Sequence, residues 1–237
     1  MTIELHDIGY TIGKRPLFTN VSLTLQKART YALTGSSGCG KTTLLNILGM
    51  LLPPTQGSIQ IDGQEAASWK DGERRQFWRD KAAFIYQDYG IIPEESVLYN
   101  ITLSRHSQKS SVRKLPQRLR TIISDVGLYG LVGEKVDVLS GGEKQRVGIA
   151  RALWKNAQYI FADEPTASLD ADNRQLVTDL LLASAANGAS VVIATHDDTL
   201  SANCDETFNV EAHNADRQRL DLEQYLSVMR RQRDERN

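Results

Sequence analysis

Tyr31-Ala32-Leu33-Thr34-Gly35-Ser36-Ser37-Gly38-Cys39-Gly40-Lys41-Thr42-Thr43 is the stretch on which the reading of the whole chain turns. A compact apolar run feeds straight into a glycine-rich loop, and residues 43–50 then have helical composition, ending near Pro53 and Pro54. Strand, glycine loop, helix is the setting that G-x-x-x-x-G-K-[ST] requires, because the glycines let backbone N–H groups turn inward around phosphate oxygens at a helix N-terminus. Gly35, Ser36, Ser37, Gly38, Cys39 and Gly40 supply the cradle, with Cys39 at a variable position that needs no redox role. On this reading Lys41 neutralises β- and γ-phosphate charge, Thr42 offers a hydroxyl to Mg²⁺, and Thr43 reaches the α-phosphate from the first helical turn.

Two further segments extend the same chemistry. Tyr159-Ile160-Phe161-Ala162-Asp163 is an apolar strand ending in a carboxylate, the residue type that holds a hydrated Mg²⁺ beside a phosphate loop. Glu164 follows at once and projects differently from the strand end, so it can polarise a water attacking the γ-phosphate. Leu139-Ser140-Gly141-Gly142-Glu143-Lys144-Gln145-Arg146 opens another helix, where Ser140 and the N–H groups of Gly141 and Gly142 make a second anion site through the helix dipole. A simple phosphate-loop enzyme has no need of it.

The rest of the chain supports an α/β fold. Its 237 residues suit one large domain carrying a subdomain. Apolar residues at 41% and charged residues at 24% are those of a soluble globular protein, and a net charge of -1 supplies no broad drive toward nucleic-acid phosphates. Cys39 and Cys204 have neither zinc-like nor disulfide-framework spacing. Glu4, His6 and Asp7 stand where a signal peptide needs an apolar stretch, and no segment approaches a membrane span, so a cytosolic chain is expected. Residues 3–25 read as short antiparallel strands, 58–61 as a strand followed by a turn at Asp62-Gly63, 71–81 as a charged helix and 83–86 as a buried strand. From about 94 to 138 strand signals fade into helical spacing, clearest over 115–126. A long helix from 140, a strand over 159–162, a helix over 173–186 and a strand over 190–195 imply a parallel sheet, and 220–237 reads as a short surface helix.

LSGGEKQR resembles the signature sequence of the ATP-binding cassette family, and the resemblance extends over residues 3–210. It implies a P-loop NTPase core with a mainly parallel sheet, an N-terminal antiparallel β-subdomain and a helical subdomain bearing the signature. Residues 1–88 and 147–215 would form the core with its β-subdomain, about 89–146 the helical subdomain, and about 216–237 a C-terminal helical tail. By the same resemblance Tyr10 stacks on adenine, Gln87 senses Mg²⁺ beside a transmembrane partner, Asp170 ends a loop crossing a dimer interface, and His196 contacts the γ-phosphate. Lys41, Glu164 and His196 are then the catalytic residues and Thr42, Gln87 and Asp163 the metal-facing ones, with ATP and Mg²⁺ as cofactors. Two copies would pack head to tail, each ATP lying between one copy's Lys41 loop and the Ser140, Gly141, Gly142 and Glu143 turn of the other. The further partner implied is a separate transmembrane permease on the inner face of the cell membrane, with no direct nucleic-acid contact.

Three stretches, 48–57, 84–93 and 162–170, are similar to those of macrolide exporters, lipoprotein-release machines and antimicrobial-peptide transporters, while 94–100 is closer to bacteriocin-export ATPases. Ala28-Arg29 replaces the usual Gly-Glu, and the segment after 210 lacks the usual Asp-Gly turn. The rival reading, a cassette ATPase acting on DNA or ribosomes, would require long heptad arms, zinc cysteines or two cassettes in one chain, and none is present in this sequence. A regulatory module that does not hydrolyse is disfavoured by the presence of both Glu164 and His196.

Overall fold

The computed structural model describes residues 1–105, 112–167 and 169–214. Period-two alternation builds its central sheet. In β7 (Tyr159–Asp163) and β8 (Ser190–Ala194), Tyr159, Phe161, Val192 and Ala194 enter one core, while Ile160, Ala162, Val191 and Ile193 enter another. Strands apolar on both faces belong in the middle of a covered parallel sheet. The order is β6-β7-β8-β3-β9, with β3 (Thr30–Thr34), β6 (Ala82–Ile85) and β9 (Glu206–Asn209), and every pairing is parallel.

Helix α1 (Lys41–Leu48) covers the first face. Its Leu44, Leu45, Ile47 and Leu48 are buried in the same core as Ile3, Leu5 and Ile59 of a second, antiparallel sheet of order β2-β1-β4-β5. That sheet is made of β1 (Thr2–Ile12), β2 (Arg15–Gln26), β4 (Gln56–Ile61) and the short β5 (Gln64–Glu65). At about 1.5–3 kcal/mol for each fully buried aliphatic side chain, α1 is the main adhesive between the two sheets. The second face carries α5 (Gly141–Lys155) and α6 (Ala171–Ala186) through Ile149, Ala152, Val177 and Leu181. Helix α5 is two-sided: Val147 and Ala150 enter a third core with α3 (Val97–Thr102) and α4 (Gln117–Asp125). α2 (Asp71–Asp80) packs Phe77 into the first core, and α7 (Asp198–Ala202) follows β8.

Several elements differ from the sequence-based expectation. Residues 3–25 form two long strands of 11 and 12 residues rather than several short ones, bent by register shifts between Leu5 and Ile8 and again around Tyr10. α1 starts at Lys41, two residues early, because Gly40 at φ 109 reverses the chain just before it. α6 starts at Ala171 rather than 173, since the Asp170 carboxylate accepts the Asn173 N–H at 2.8 Å and fixes the cap there. β6 ends at Ile85, leaving Tyr86 outside it, and β8 ends at Ala194. The edge strand β9 was not anticipated, its residues lacking apolar alternation. The expected helix over 220–237, the tail over 216–237 and the limit of the core at 215 lie outside the described residues.

A polar junction ties the antiparallel sheet to the parallel one. Asp62, in the turn after β4, accepts from Lys81 Nζ and, at 2.8 Å, from Tyr159 Oη at the start of β7. Burial alone would raise the Asp62 carboxyl, but the hydrogen bonds from Lys81, Tyr159 and the Thr2 N–H outweigh it and hold its pKa below the ordinary value. A depressed native pKa contributes stability that is complete above the unfolded-chain value of about 3.9 and disappears as pH falls through the native one. Asp62→Asn, which suits the positive φ of 53, is therefore expected to lower unfolding free energy by about 1–2 kcal/mol at neutral pH. Denaturant titrations from pH 7 downward should show the gap to wild type closing below about pH 4.

Candidate functional site

The glycine loop leaves β3 and enters α1 under tight steric control. A Cβ on Gly40 would lie 2.9 Å from Phe18 Cδ1 and 3.1 Å from Leu17 Cδ2, so the β1–β2 hairpin rests directly on the loop. Lys41 is only 8% exposed, and its Nζ donates to the carbonyls of Gly35 at 2.8 Å and Ser36 at 3.2 Å, folding the ammonium over the loop's own backbone. Cys39 is buried; that burial pushes its thiol pKa up, as suits a packing residue rather than a reactive one. The loop's opening is anchored where the Ser36 N–H donates to Glu211 Oε2 at 3.1 Å.

Across the loop stand the C-terminal ends of β7 and β8. Thr42 Oγ1 donates to Asp163 Oδ1 at 3.0 Å, so the hydroxyl from α1 and the carboxylate from β7 lie side by side. Burial, first, raises the Asp163 pKa, with Glu164 adding to it and Thr42 and Lys41 opposing. Glu164 has φ 46, a conformation costly for a residue with a side chain, and its N–H donates to Ala194 O at 2.8 Å. The turn directs its carboxylate at His196, whose Nδ1 is 2.9 Å from Glu164 Oε2. Glu164 is largely enclosed, with a side chain 14% exposed, whereas the His196 ring is 70% exposed.

These groups enclose an open cavity of about 650 Å³. Gly35, Ser36, Ser37, Gly38, Gly40, Lys41, Thr42 and Thr43 form its floor, and Gln87, Glu164 and His196 stand at its edge. Cys39 and Asp163 are in the same region but do not line the cavity. The donor set suits a small hard cation: one hydroxyl and one carboxylate oxygen already in contact, with an amide oxygen from Gln87 on the same cavity. Among the described residues no group of three or more His, Cys, Asp or Glu could hold a metal alone. A Mg²⁺ ion held by so few protein oxygens would complete its shell with water and ligand phosphate oxygens.

The remaining sequence candidates are elsewhere. Tyr10 does not line the cavity; its ring is half-buried against the first core, 6.4 Å from that of Phe18. Ile12 and Leu17, which no sequence motif singled out, occupy the wall instead. Ser140, Gly141, Gly142 and Glu143 sit together at the start of α5, also away from the cavity. Ser140 is the N-cap: its Oγ accepts the Glu143 N–H at 3.3 Å, while Glu143 Oε2 accepts the Ser140 N–H at 2.8 Å and the Ser140 hydroxyl at 2.7 Å. Asp170 caps α6 and is linked through Asn173 to Arg146 on α5.

The loop after β6 joins the cavity to that helix. Gln87 faces the cavity, while two residues on Tyr89 Oη is 2.9 Å from where a Gly141 Cβ would stand. Arg151, three turns along α5, donates to Gly90 O at 2.6 Å and to Tyr89 O at 3.2 Å. Nothing in the motif spacing announced this clamp.

Residues 18–167 match the ABC transporter family. The macrolide export ATP-binding/permease protein MacB of Escherichia coli is 39% identical over 199 residues, covering 82% of this chain and 31% of that protein. MacB of Campylobacter jejuni is 34% identical over 209 residues, 88% of this chain and 33% of that protein, so the chain spans about a third of the length of these relatives. YvrO of Bacillus subtilis, an uncharacterized ABC transporter ATP-binding protein, is 34% identical over 209 residues and is covered over 91% of its length. Among solved structures, the dimeric post-hydrolysis state of the ATP-binding cassette MJ0796 bound to ADP and Pi superposes with a TM-score of 0.75 at 29% identity, covering 88% of this chain and 95% of that one. A phosphate-loop cavity faced by Glu164 and His196, together with a capped second glycine turn outside it, is thus found in a chain that belongs to the ABC transporter family.

Proposed function

We propose that this chain binds and hydrolyses ATP in a head-to-tail pair and uses the cycle to drive a membrane-spanning export permease from the cytoplasmic face of the membrane. The observation that carries this reading is the division of anion-binding backbone between two places. Loop amides, Lys41, Glu164 and His196 share one cavity, while the N–H groups at the start of α5 open outside it. One copy holds half a site; a second copy's Ser140, Gly141 and Gly142 complete it from across the γ-phosphate.

In this reading the loop amides and Thr43 hold the phosphates, and Lys41 leaves its carbonyl partners for β- and γ-phosphate oxygens. Thr42, Asp163 and Gln87 would hold Mg²⁺, which would supply positive charge to offset that of the phosphates. Glu164 orients a water and takes its proton as the oxygen attacks phosphorus and the bond to ADP breaks, releasing phosphate. His196 is held by its Nδ1 contact to Glu164, which leaves Nε2 for a γ-phosphate oxygen. Loss of the bridging γ-phosphate then loosens the pair.

The names of the relatives support export. MacB is named for macrolide export and combines ATP-binding and permease parts, whereas YvrO is named as an ATP-binding protein of comparable length. Among the described residues no helix is long and apolar enough to cross a membrane. The proposed helical subdomain, about 89–146, exposes Ile92 at 41%, Leu103 at 56% and Tyr129 at 51%, apolar surface of the kind that meets the cytosolic ends of membrane helices.

Glu164→Gln should bind ATP and pair while turning over about 10²–10⁴-fold more slowly. Phosphate release and gel filtration with ATP test this, and hydrolysis at the wild-type rate would remove Glu164 from its role. Cysteines placed at Ile92 and Glu94 should cross-link to a membrane permease in inside-out vesicles. Adducts confined to soluble proteins would sink the permease assignment.

A further inference from the structure

The cavity lining is chemically divided. The glycine loop, with Lys41, Thr42, Glu164 and His196, supplies its polar and charged groups, and the β1–β2 hairpin supplies two aliphatic side chains, Ile12 and Leu17. Leu17 is packed down on the loop, its Cδ2 3.1 Å from the missing Cβ of Gly40. Ile12, the last residue of β1, is 60% exposed although it is a large aliphatic residue on a strand. A nucleoside polyphosphate has the matching polarity, with anionic oxygens at one end and a flat, largely apolar base at the other. With phosphates on the loop, the base lies against the hairpin, where apolar surface is available to cover it.

What this wall lacks is as informative. Among the described residues no Phe, Tyr or Trp lines the cavity. Tyr10, the nearest ring along the strand, is committed to the core with Phe18. The hairpin contributes no other side chain to the cavity, and neither Ile12 nor Leu17 carries a donor or acceptor. Bases are told apart by the hydrogen-bonding groups on their edges, while aliphatic contact senses only a face that all purines share.

The geometry points to a base held by Ile12 and Leu17 without ring stacking or edge recognition, so that Ile12 sets base selectivity and sets it low: the substrate class is purine nucleoside triphosphates, GTP as well as ATP. This deepens the proposed function and rests on its assignment of the cavity to nucleotide.

Calorimetric titration of the full chain with ADP and GDP in the presence of Mg²⁺ tests it, because diphosphates lack the γ-phosphate that bridges two copies. The two dissociation constants should agree within about tenfold, the range that contact lacking edge hydrogen bonds supports. Ile12→Tyr places a ring at the exposed wall position and should tighten ADP about three- to tenfold. Ile12→Asp should weaken both diphosphates by at least about threefold, since apolar cover is lost beside an anionic ligand. Both substitutions are at an exposed site, and circular dichroism confirms folding before titration. A preference of about tenfold or more for either base, or an ADP affinity that neither substitution alters, overturns the inference. Lys41→Ala separates the two levels. If it leaves ADP binding unchanged, the nucleotide assignment of the cavity fails; if it abolishes binding while Ile12 variants behave as wild type, only the base wall does.

Discussion

Gly40 can carry no side chain, and much of the molecule is arranged around that fact. Its φ of 109 turns the chain from the loop into α1, and the space a Cβ would fill is taken by Phe18 and Leu17 of the hairpin. Three elements meet there: the antiparallel sheet through β2, the parallel sheet through β3, and α1, whose buried face joins the two. Substituting Gly40 would strain the turn and push the hairpin off the loop together. The close approach that leaves the loop amides open to a phosphate also seats the hairpin beside the cavity. In the proposed site, phosphate and base recognition are therefore consequences of one contact.

The other side of the parallel sheet is organised by α5. Its first turn is the proposed second anion site, its middle joins the sheet core to the helical core, and Arg151 near its end grips the backbone of the loop that carries Gln87. Arg151 is in a desolvated position that lowers its pKa, and it donates to two carbonyl oxygens, so leaving them would expose a buried cation to an apolar setting. Tyr89 and Gly90 hold positive φ values of 69 and 53 under that grip. The loop that carries Gln87 is thus fastened to α5 at two places, by Tyr89 against Gly141 and by Arg151 on the Tyr89 and Gly90 carbonyls.

Much of this was legible in the amino-acid sequence because its determinants are local. The loop from Gly35 to Thr43 needs a fixed order of glycines, Lys and Thr, the strand ending at Asp163 reads from its continuous apolar run, and Ser140-Gly141-Gly142 reads as a helix start. What escaped depends on distant pairing. β9 is an edge strand whose residues carry no pattern and are positioned by β3. Which hairpin side chain faces the cavity is set by register shifts around Ile8 and Tyr10, and a shift of one residue exchanges the faces of a strand. Tyr10 was the natural candidate for a ring near the base; the bulged hairpin presents Ile12 instead. The Asp62 junction and the Arg151 clamp join residues far apart in the chain, and no spacing rule reaches that far.

The second anion site has an internal tension that bears on how two copies would come together. Glu143 occupies the start of α5, its carboxylate satisfied by the Ser140 hydroxyl and N–H, and those bonds hold its pKa below the ordinary range. A carboxylate there complements the helix dipole in a lone copy but repels an approaching γ-phosphate. Ser140 Oγ also has its hydrogen already given to Glu143, so it can donate to phosphate only by releasing that carboxylate. Closure of the pair on the proposed reading therefore includes a local exchange, phosphate for Glu143 at the Ser140 hydroxyl, while the backbone N–H groups of Gly141 and Gly142 supply the attraction. The capping box orders this helix start within a single copy, and on the proposed reading the cost of freeing Glu143 offsets part of the attraction that closes the pair.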